Sequence, residues 1–354
     1  MRQAAMLLTM LCGTALAGNV TSSEAKKKAL QFMPGKQFKQ MKLQGNRSLS
    51  RSADGSEAFY IFNADGGGFV IVSGDDRTVA ILGYSDKGNI NIEKLPDNVR
   101  YWLNGYAEQI SGLGENYHVS ARSLTRAKGQ AIKPLIQTQW DQGYPYNLMC
   151  PEYQGFKCLT GCVPTAISQL MYYYKWPQGE VKAVSGYKTY SLGIELPDLP
   201  STSFKWSKMK PTYYGTEDEE SKMAVAELMR YVGQGSGPGC AGTDYGLGGT
   251  SSGTYGQLIT YFGYSAGHEN LNRQRSNMSQ QMWDEVMFGE LSNKRPILYI
   301  GFPIEGCGHA FIVDGFDGNG LFHINWGWGG LYDGHFVLSV ADPYSRKKLG
   351  KWIF

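Results

Sequence analysis

The sequence predicts an α+β fold in two units. Three observations predict it. The chain has 354 residues, too many for one small core and suited to two domains. It carries 46 Gly and 23 Tyr, a turn-rich composition that fits strands and irregular segments better than a helix bundle. A polar, basic stretch at 119–133 separates two regions that each mix helix-period and strand-like segments.

The N-terminus, MRQAAMLLTMLCGTALAGN, places Arg2 before a short apolar run and the small-residue sequence Ala15-Leu16-Ala17. This predicts a secretory signal peptide over 1–17, cleaved after Ala17 and too short to remain as a membrane span. No later segment is apolar for long enough to cross a bilayer, so the expectation is an exported, soluble protein. Residues 21–33 read as an amphipathic helix capped by Ser22 or Ser23. Residues 34–56 are polar and breaker-rich and read as loop. EAFYIFNADGGGFVIVSGDD predicts two strands around Asp65-Gly66-Gly67-Gly68, and RTVAILGYS a third. Asp97 is the expected cap of a helix whose Val99, Trp102, Leu103, Tyr106 and Ile110 share one face. This first unit ends near Tyr117. The 119–133 stretch, with Arg122, Arg126, Lys128 and Lys133, reads as an exposed linker open to proteolysis.

In the second unit, GCVPTAISQLMYYYKWP predicts a helix with Pro164 in its first turn, Ala166, Ile167, Leu170, Met171 and Tyr174 on one face, and a stop at Trp176-Pro177. A further helix is expected over about 219–232. A Gly-rich loop at 233–253 lacks the spacing and lysine of a phosphate loop. Strands follow at 296–302, 309–314, 321–326 and 335–340. Basic and acidic residues nearly balance, 34 against 31. The basic runs Lys26–Lys28 and Arg346–Lys348 carry no interleaved aromatics and give no case for a nucleic-acid partner.

Removal of the leader, with Cys12, leaves Cys150, Cys158, Cys162, Cys240 and Cys307, an odd number. Cys150 with Cys158 and Cys240 with Cys307 are one pairing that leaves Cys162 free; spacing does not fix the connectivity. Cys162 opens a helix, where unpaired backbone N–H groups and the dipole favour a thiolate nucleophile; a buried apolar cysteine fits the position as well. Of the five histidines, His118, His268, His309, His323 and His335, His309 stands on a strand joined by the loop DGFDGNG to the strand carrying Asn325. An unbulged hairpin centred on Asp317 would oppose His309 to Asn325, so that the amide oxygen orients the imidazole. His323 reads as a packing or surface residue. Gln142, in WDQGYPYN, and the Cys162 N–H are candidate oxyanion donors. Trp326 and Trp328 read as packing residues, or as indoles that keep water from the imidazole.

QGYPYN, TGCVPTA, GHAFIVDG and HINWGWGG together resemble the streptopain family of exported bacterial papain-like cysteine peptidases, from about 137 to 340. FYIFNADGGGFVIVSGDDR and ILGYS resemble that family's pro-segment. The resemblance implies a papain-like catalytic domain, with a helical part and an antiparallel sheet or barrel part, over 127–354. It also implies an inhibitory pro-domain over 18–126, removed within the linker, often by the enzyme itself. It implies Cys162 as nucleophile, His309 as base, Asn325 as orienter, Gln142 in the oxyanion hole and Trp326 as the covering indole. Neither metal nor organic cofactor is implied. The partners implied are protein or peptide substrates, cut with an apolar residue one before the scissile position, and the chain's own pro-domain. Rival readings are a metal hydrolase using Cys158, Cys162, Cys307 and His309, a non-catalytic secreted binding or inhibitor protein, and a thiol-dependent amidase or acyltransferase.

Overall fold

The computed structural model describes residues 18–41, 57–113, 129–189, 192–237, 258, 260–264, 278–301, 309–340 and 352–353. The leader over 1–17, most of the 119–133 linker, the bulk of the Gly-rich loop, His118, His268, Cys240 and Cys307 lie outside them. In the N-terminal unit, α1 spans Ser22–Phe32, β1 Phe38–Gln40, β2 Phe59–Ala64, β3 Phe69–Ser73, β4 Ile81–Ser85 and α2 Asp97–Ser111. In the second unit, β5 spans Glu152–Tyr153, β6 Phe156–Lys157, α3 Cys162–Tyr174, β7 Tyr187–Lys188, β8 Glu195–Leu196, α4 Glu219–Gly235 and α5 Gln280–Ser292. The remaining strands are β9 Ile297–Gly301, β10 His309–Phe316, β11 Phe322–Asn325, β12 Gly334–Phe336 and β13 Trp352–Ile353.

The two units share one sheet. Its nine strands run β1-β2-β3-β4-β12-β11-β10-β9-β13. The described pairings are all antiparallel, including His335↔Tyr84 and Phe336↔Gly83 across the seam between units. Gly83 permits this seam, because a Cβ there would stand 2.5 Å from the Phe336 ring.

Period-2 alternation sorts the core. Phe59, Ile61, Phe69 and Ile71 face α2, whereas Tyr60, Phe62, Val70 and Val72 face α1. On β10, Phe311 and Val313 join the α2 core, and Ala310 and Ile312 pack with α3 and α4. One sheet therefore carries the N-terminal helix α2 on one face and the helix that begins with Cys162 on the other.

Several local expectations are corrected. The α1 cap is Thr21, not Ser22 or Ser23: Thr21 and Glu24 form a reciprocal capping box. Asp97 is the first residue of α2, whose cap position holds Pro96; the apolar face of α2 is buried as the spacing predicts. The stretch 34–56, read as loop, contains β1. On α3, Tyr174 is exposed and Leu170 half-buried, so the buried stripe is narrower than the sequence pattern.

The β10–β11 hairpin is bulged. Its register is Ile312↔Asn325 and Val313↔Ile324, then shifts to Gly315↔His323. The shifted residue is Asp314, fully buried. Its carboxylate accepts from the Ile136 N–H at 2.8 Å and contacts His323 Nδ1 at 2.6 Å, and its carbonyl accepts from the Leu135 N–H. The incoming chain at 132–136 thus takes pairing from β10, and an extra residue enters. His309 pairs with Gly301 and does not oppose Asn325.

Cys150 and Cys158 are buried in one small cluster as free thiols, so the short Cys150–Cys158 loop is unbridged. Burial pushes both thiols up, Cys150 to about 12.

Candidate active site

Cys162 is the first residue of α3 because Gly161 turns the chain there, with φ +89° and ψ 161°, a conformation that L side chains rarely adopt. The turn is tied down by the Thr165 hydroxyl, which donates to the Gly161 carbonyl at 2.8 Å and lies 3.0 Å from the Thr160 hydroxyl. The Cys162 Sγ accepts from the Ala310 N–H at 3.5 Å, a contact across 148 positions of sequence. The sulfur therefore lies against the strand residue next to His309. Backbone N–H groups of Ala310, Val163 and Cys162 favour the thiolate, but burial outweighs them and the Cys162 thiol stays above its ordinary value. The donors of a helix start are in place, and in this form desolvation of the sulfur outweighs them although the residue keeps some exposed surface.

His309 begins β10. Burial pushes its imidazole down to about 3, against an opposing hydrogen bond with the Trp326 backbone. Nε2 has no hydrogen-bond partner. The residue keeps some exposed surface while the ring is enclosed by protein; enclosure of the ring sets its charge. Both members of the pair are thus neutral in this form.

Asn325, 4 % exposed, ends β11. Its Oδ1 accepts from Gln169 Nε2 at 3.2 Å and from the Gly327 N–H at 3.1 Å. Its Nδ2 donates to the Thr138 carbonyl at 2.9 Å and to Gln169 Oε1 at 3.3 Å. Its amide is therefore engaged at both ends by groups other than His309, whose own bond goes to the neighbouring Trp326 backbone. The direct His309–Asn325 opposition fails because the hairpin turns about Asn319, two residues beyond Asp317, with Phe316 opposite Phe322 and Gly315 opposite His323; the bulge at Asp314 moves Asn325 back by only one residue, to face Ile312.

Gln142 is buried. Its carbonyl accepts from the Thr160 N–H at 3.0 Å, which holds its segment beside the loop leading to Cys162. A Cβ at Gly143 would meet nothing within 4 Å, so the backbone here borders open space. The Trp326 ring packs edge-on against Trp102 of α2, with centroids 5.6 Å apart, and against Phe311 and Phe336. The indole parallel to the imidazole is that of Trp328, 6.3 Å away at an interplanar angle of 9°. His323 is a packing residue, ion-paired to Asp314 in the sheet.

Two polar residues here escape a sequence reading. Asn98, at the start of α2, accepts from the Trp328 indole N–H at 2.9 Å and donates to the Trp326 carbonyl at 3.4 Å. Nothing in its local sequence marks it. Gln169 shares a helical face with Cys162 about two turns earlier, which is its one sequence signal. Among the described residues, no group of three His, Cys, Asp or Glu is placed to hold a metal ion. No helix among them is long and apolar enough to cross a membrane.

Comparison with known proteins shows what this arrangement is similar to. The Peptidase C10 family matches residues 140–336, and the Spi protease inhibitor family matches residues 17–110. Streptopain of Streptococcus pyogenes is 34% identical over 313 residues, covering 80% of this chain and 74% of that protein. The thiol protease/hemagglutinin PrtT of Porphyromonas gingivalis is 32% identical over 369 residues; the match takes in 96% of this chain but 41% of PrtT. Among solved structures, a Prevotella intermedia prointerpain A fragment superposes with a TM-score of 0.73 at 25% identity, covering 90% of this chain and 98% of the fragment. Active interpain A gives 0.54 at 27% identity and covers 64% of this chain and 98% of its own.

Proposed function

This chain belongs to the peptidase C10 family, and on that premise we propose how its residues divide the work of cutting a peptide bond. It is a cysteine-type endopeptidase made as a zymogen, with a Spi-like unit at its N-terminus. The Cys162 sulfur attacks the scissile carbonyl carbon, a C–S bond forms, and the carbonyl electrons move to oxygen. The Gln142 side chain and the Cys162 N–H donate to that oxyanion. His309 carries the thiol proton and passes it to the leaving amine as the C–N bond breaks. It then takes a proton from water, whose oxygen displaces the sulfur and frees the acid. Asn325 accepts from the second imidazole nitrogen once the N-terminal unit has left, and an indole of the Trp326–Trp328 pair keeps that bond dry. No step needs a metal or an organic cofactor.

The carrying observation is the Ala310 N–H to Cys162 Sγ contact, which brings a helix start and a distant His-bearing strand to one point. The docked N-terminal unit accounts for the neutral pair. Asn98 and Trp102 lie on the Trp326–Trp328 segment, where they hold the site enclosed and the imidazole on the Trp326 backbone. Residues 18–126 are accordingly the pro-domain, 127–354 the catalytic domain, and 119–133 the processing region. Substrates are proteins or peptides with an apolar residue one before the scissile position, and export follows from the leader at 1–17.

The test is mass spectrometry of the purified precursor during incubation, with a peptide substrate assay alongside. Wild type shortens within 119–133 and gains activity. Cys162→Ala stays full length and inactive. Equal hydrolysis by the two would overturn the assignment.

A further inference from the structure

We propose that Gln169 is a positioning residue of the catalytic machinery, acting through a reciprocal carboxamide pair with Asn325. The inference rests on the reading of Asn325 as the imidazole's orienter. Each amide of the pair donates to the other, Gln169 Nε2 to Asn325 Oδ1 at 3.2 Å and Asn325 Nδ2 to Gln169 Oε1 at 3.3 Å. The Thr138 hydroxyl donates to Gln169 Oε1 at 2.7 Å, and the Thr138 carbonyl accepts from Asn325 Nδ2 at 2.9 Å. Gln169, Thr138 and Asn325 are 1 %, 3 % and 4 % exposed, so water does not substitute for these bonds.

A buried, fully satisfied amide cluster has one low-energy arrangement, because flipping either carboxamide sets donor against donor. The flip of Asn325 is fixed independently by two backbone groups, the Gly327 N–H at Oδ1 and the Thr138 carbonyl at Nδ2. Gln169 adds the restraint that the backbone groups lack. It ties the Asn325 plane to α3, the helix that carries Cys162. Nucleophile and orienter then move as one body, while the imidazole is the part free to turn between the Trp326 backbone and the Asn325 oxygen. Without Gln169 the Asn325 amide keeps its two backbone bonds but its plane is no longer tied to α3, and the imidazole it orients loses alignment with the sulfur; misplacement on this scale costs up to about a hundredfold in rate.

The test is a double-mutant cycle on the full-length chain after processing, with rates expressed per alkylatable Cys162. Gln169→Met keeps the length of the side chain and removes both bonds. Gln169→Glu keeps the acceptor and, at low pH, regains a donor. The expected result for Gln169→Met is a fall in kcat of about tenfold to a hundredfold, an unchanged KM and a shifted acid limb of the pH–rate profile. In an Asn325→Ala background the same change has no further effect, and Gln169→Glu recovers activity as pH falls. An equal kcat loss from Gln169→Met in both backgrounds, or a loss of alkylatable protein with kcat per site and the pH profile unmoved, overturns the positioning role. An Asn325→Ala variant with wild-type kcat overturns the orienter reading itself, a separate outcome. Where Gln169→Met yields no folded precursor, the pH-dependent recovery of Gln169→Glu decides: activity that does not rise with falling pH overturns the inference.

Discussion

At Cys162 two opposing effects meet on one atom. Three backbone N–H groups pull toward the anion and burial pushes toward the neutral thiol, and burial prevails. A helix start is thus not enough to make a thiolate; the charge needs a protonated partner, and His309 is pushed down to about 3 by its own burial. The residue identities of the site were legible as types in a sequence, a cysteine before a helix and a histidine and an asparagine on successive strands. Their contacts were not, because the β10–β11 hairpin turns about Asn319 and not about Asp317, with a further one-residue shift at Asp314, so that Asn325 faces Ile312 and not His309. Gln142 is the residue whose role can be separated most cleanly. If its amide donates to the oxyanion, it acts in the transition state and little in the ground state. Gln142→Ala should lower kcat by about 10²–10³-fold with KM little changed, measured by steady-state hydrolysis on the processed enzyme. A rise in KM with unchanged kcat would place Gln142 in substrate binding instead.

Among the elements, α2 and α3 differ in how much of their work a sequence shows. The spacing of Val99, Trp102, Leu103, Tyr106 and Ile110 gave α2 a single apolar face, and that face is buried. What it is buried against, Phe311, Tyr299 and Trp326 of the other unit, is a long-range pairing that no local period encodes. The face of α3 read as apolar holds only part of the story. Gln169 and Thr165, polar residues on the Cys162 side, carry the bonds that fix the site. Helix α5 has no marked separation of apolar and polar faces, with Met282 exposed beside fully buried Trp283, and a reading by period passes over it. The start of α3 depends on Gly161. Gly161→Ala places a Cβ at φ +89°, a strain of about 1–3 kcal/mol, and rotates Cys162 off its contact with the Ala310 N–H. The expected outcome is a lower melting temperature together with a changed rate of Cys162 alkylation. A variant matching wild type in both would show that the turn does not set the sulfur.

The molecule as a whole is held together by a seam that a linker-based division of the sequence does not reveal. At this seam β4 pairs with β12, and the Tyr84 and His335 rings stack 4.9 Å apart. Ser85 donates to the Asp333 carbonyl, and the Tyr106 hydroxyl to the Val337 carbonyl. Three half-buried titratable groups, whose ionisable atoms are enclosed by protein, make docking depend on pH. His309 and His335 are both pushed down to about 3 by burial, His335 further by His323. Asp333 is pushed up to about 7 by burial. If release of the N-terminal unit exposes these groups, they return toward their ordinary values, 6.5 for each imidazole and 3.8 for the carboxyl. Depressed imidazoles favour docking at high pH and lose that contribution as pH falls below 6.5; the raised carboxyl works in the opposite sense. Between about pH 6.5 and 4, release takes up two protons on the imidazoles and gives up one from Asp333. Protonated His323 and the neutral Tyr84 and Cys162, whose values lie above their ordinary ones, add no slope in this window. The net uptake of one proton weakens docking about tenfold for each pH unit of acidification. A Cys162→Ala precursor nicked in the linker by an added protease, with pro-domain dissociation followed from pH 6.5 to 4.5, should show about a fortyfold loss of affinity, less than tenfold per unit near pH 6.5 where the free imidazoles are half protonated. His335→Gln, leaving one imidazole against one carboxyl, should flatten the profile. A flat wild-type profile would show instead that these groups stay enclosed after the N-terminal unit departs, and that the seam is not what buries them.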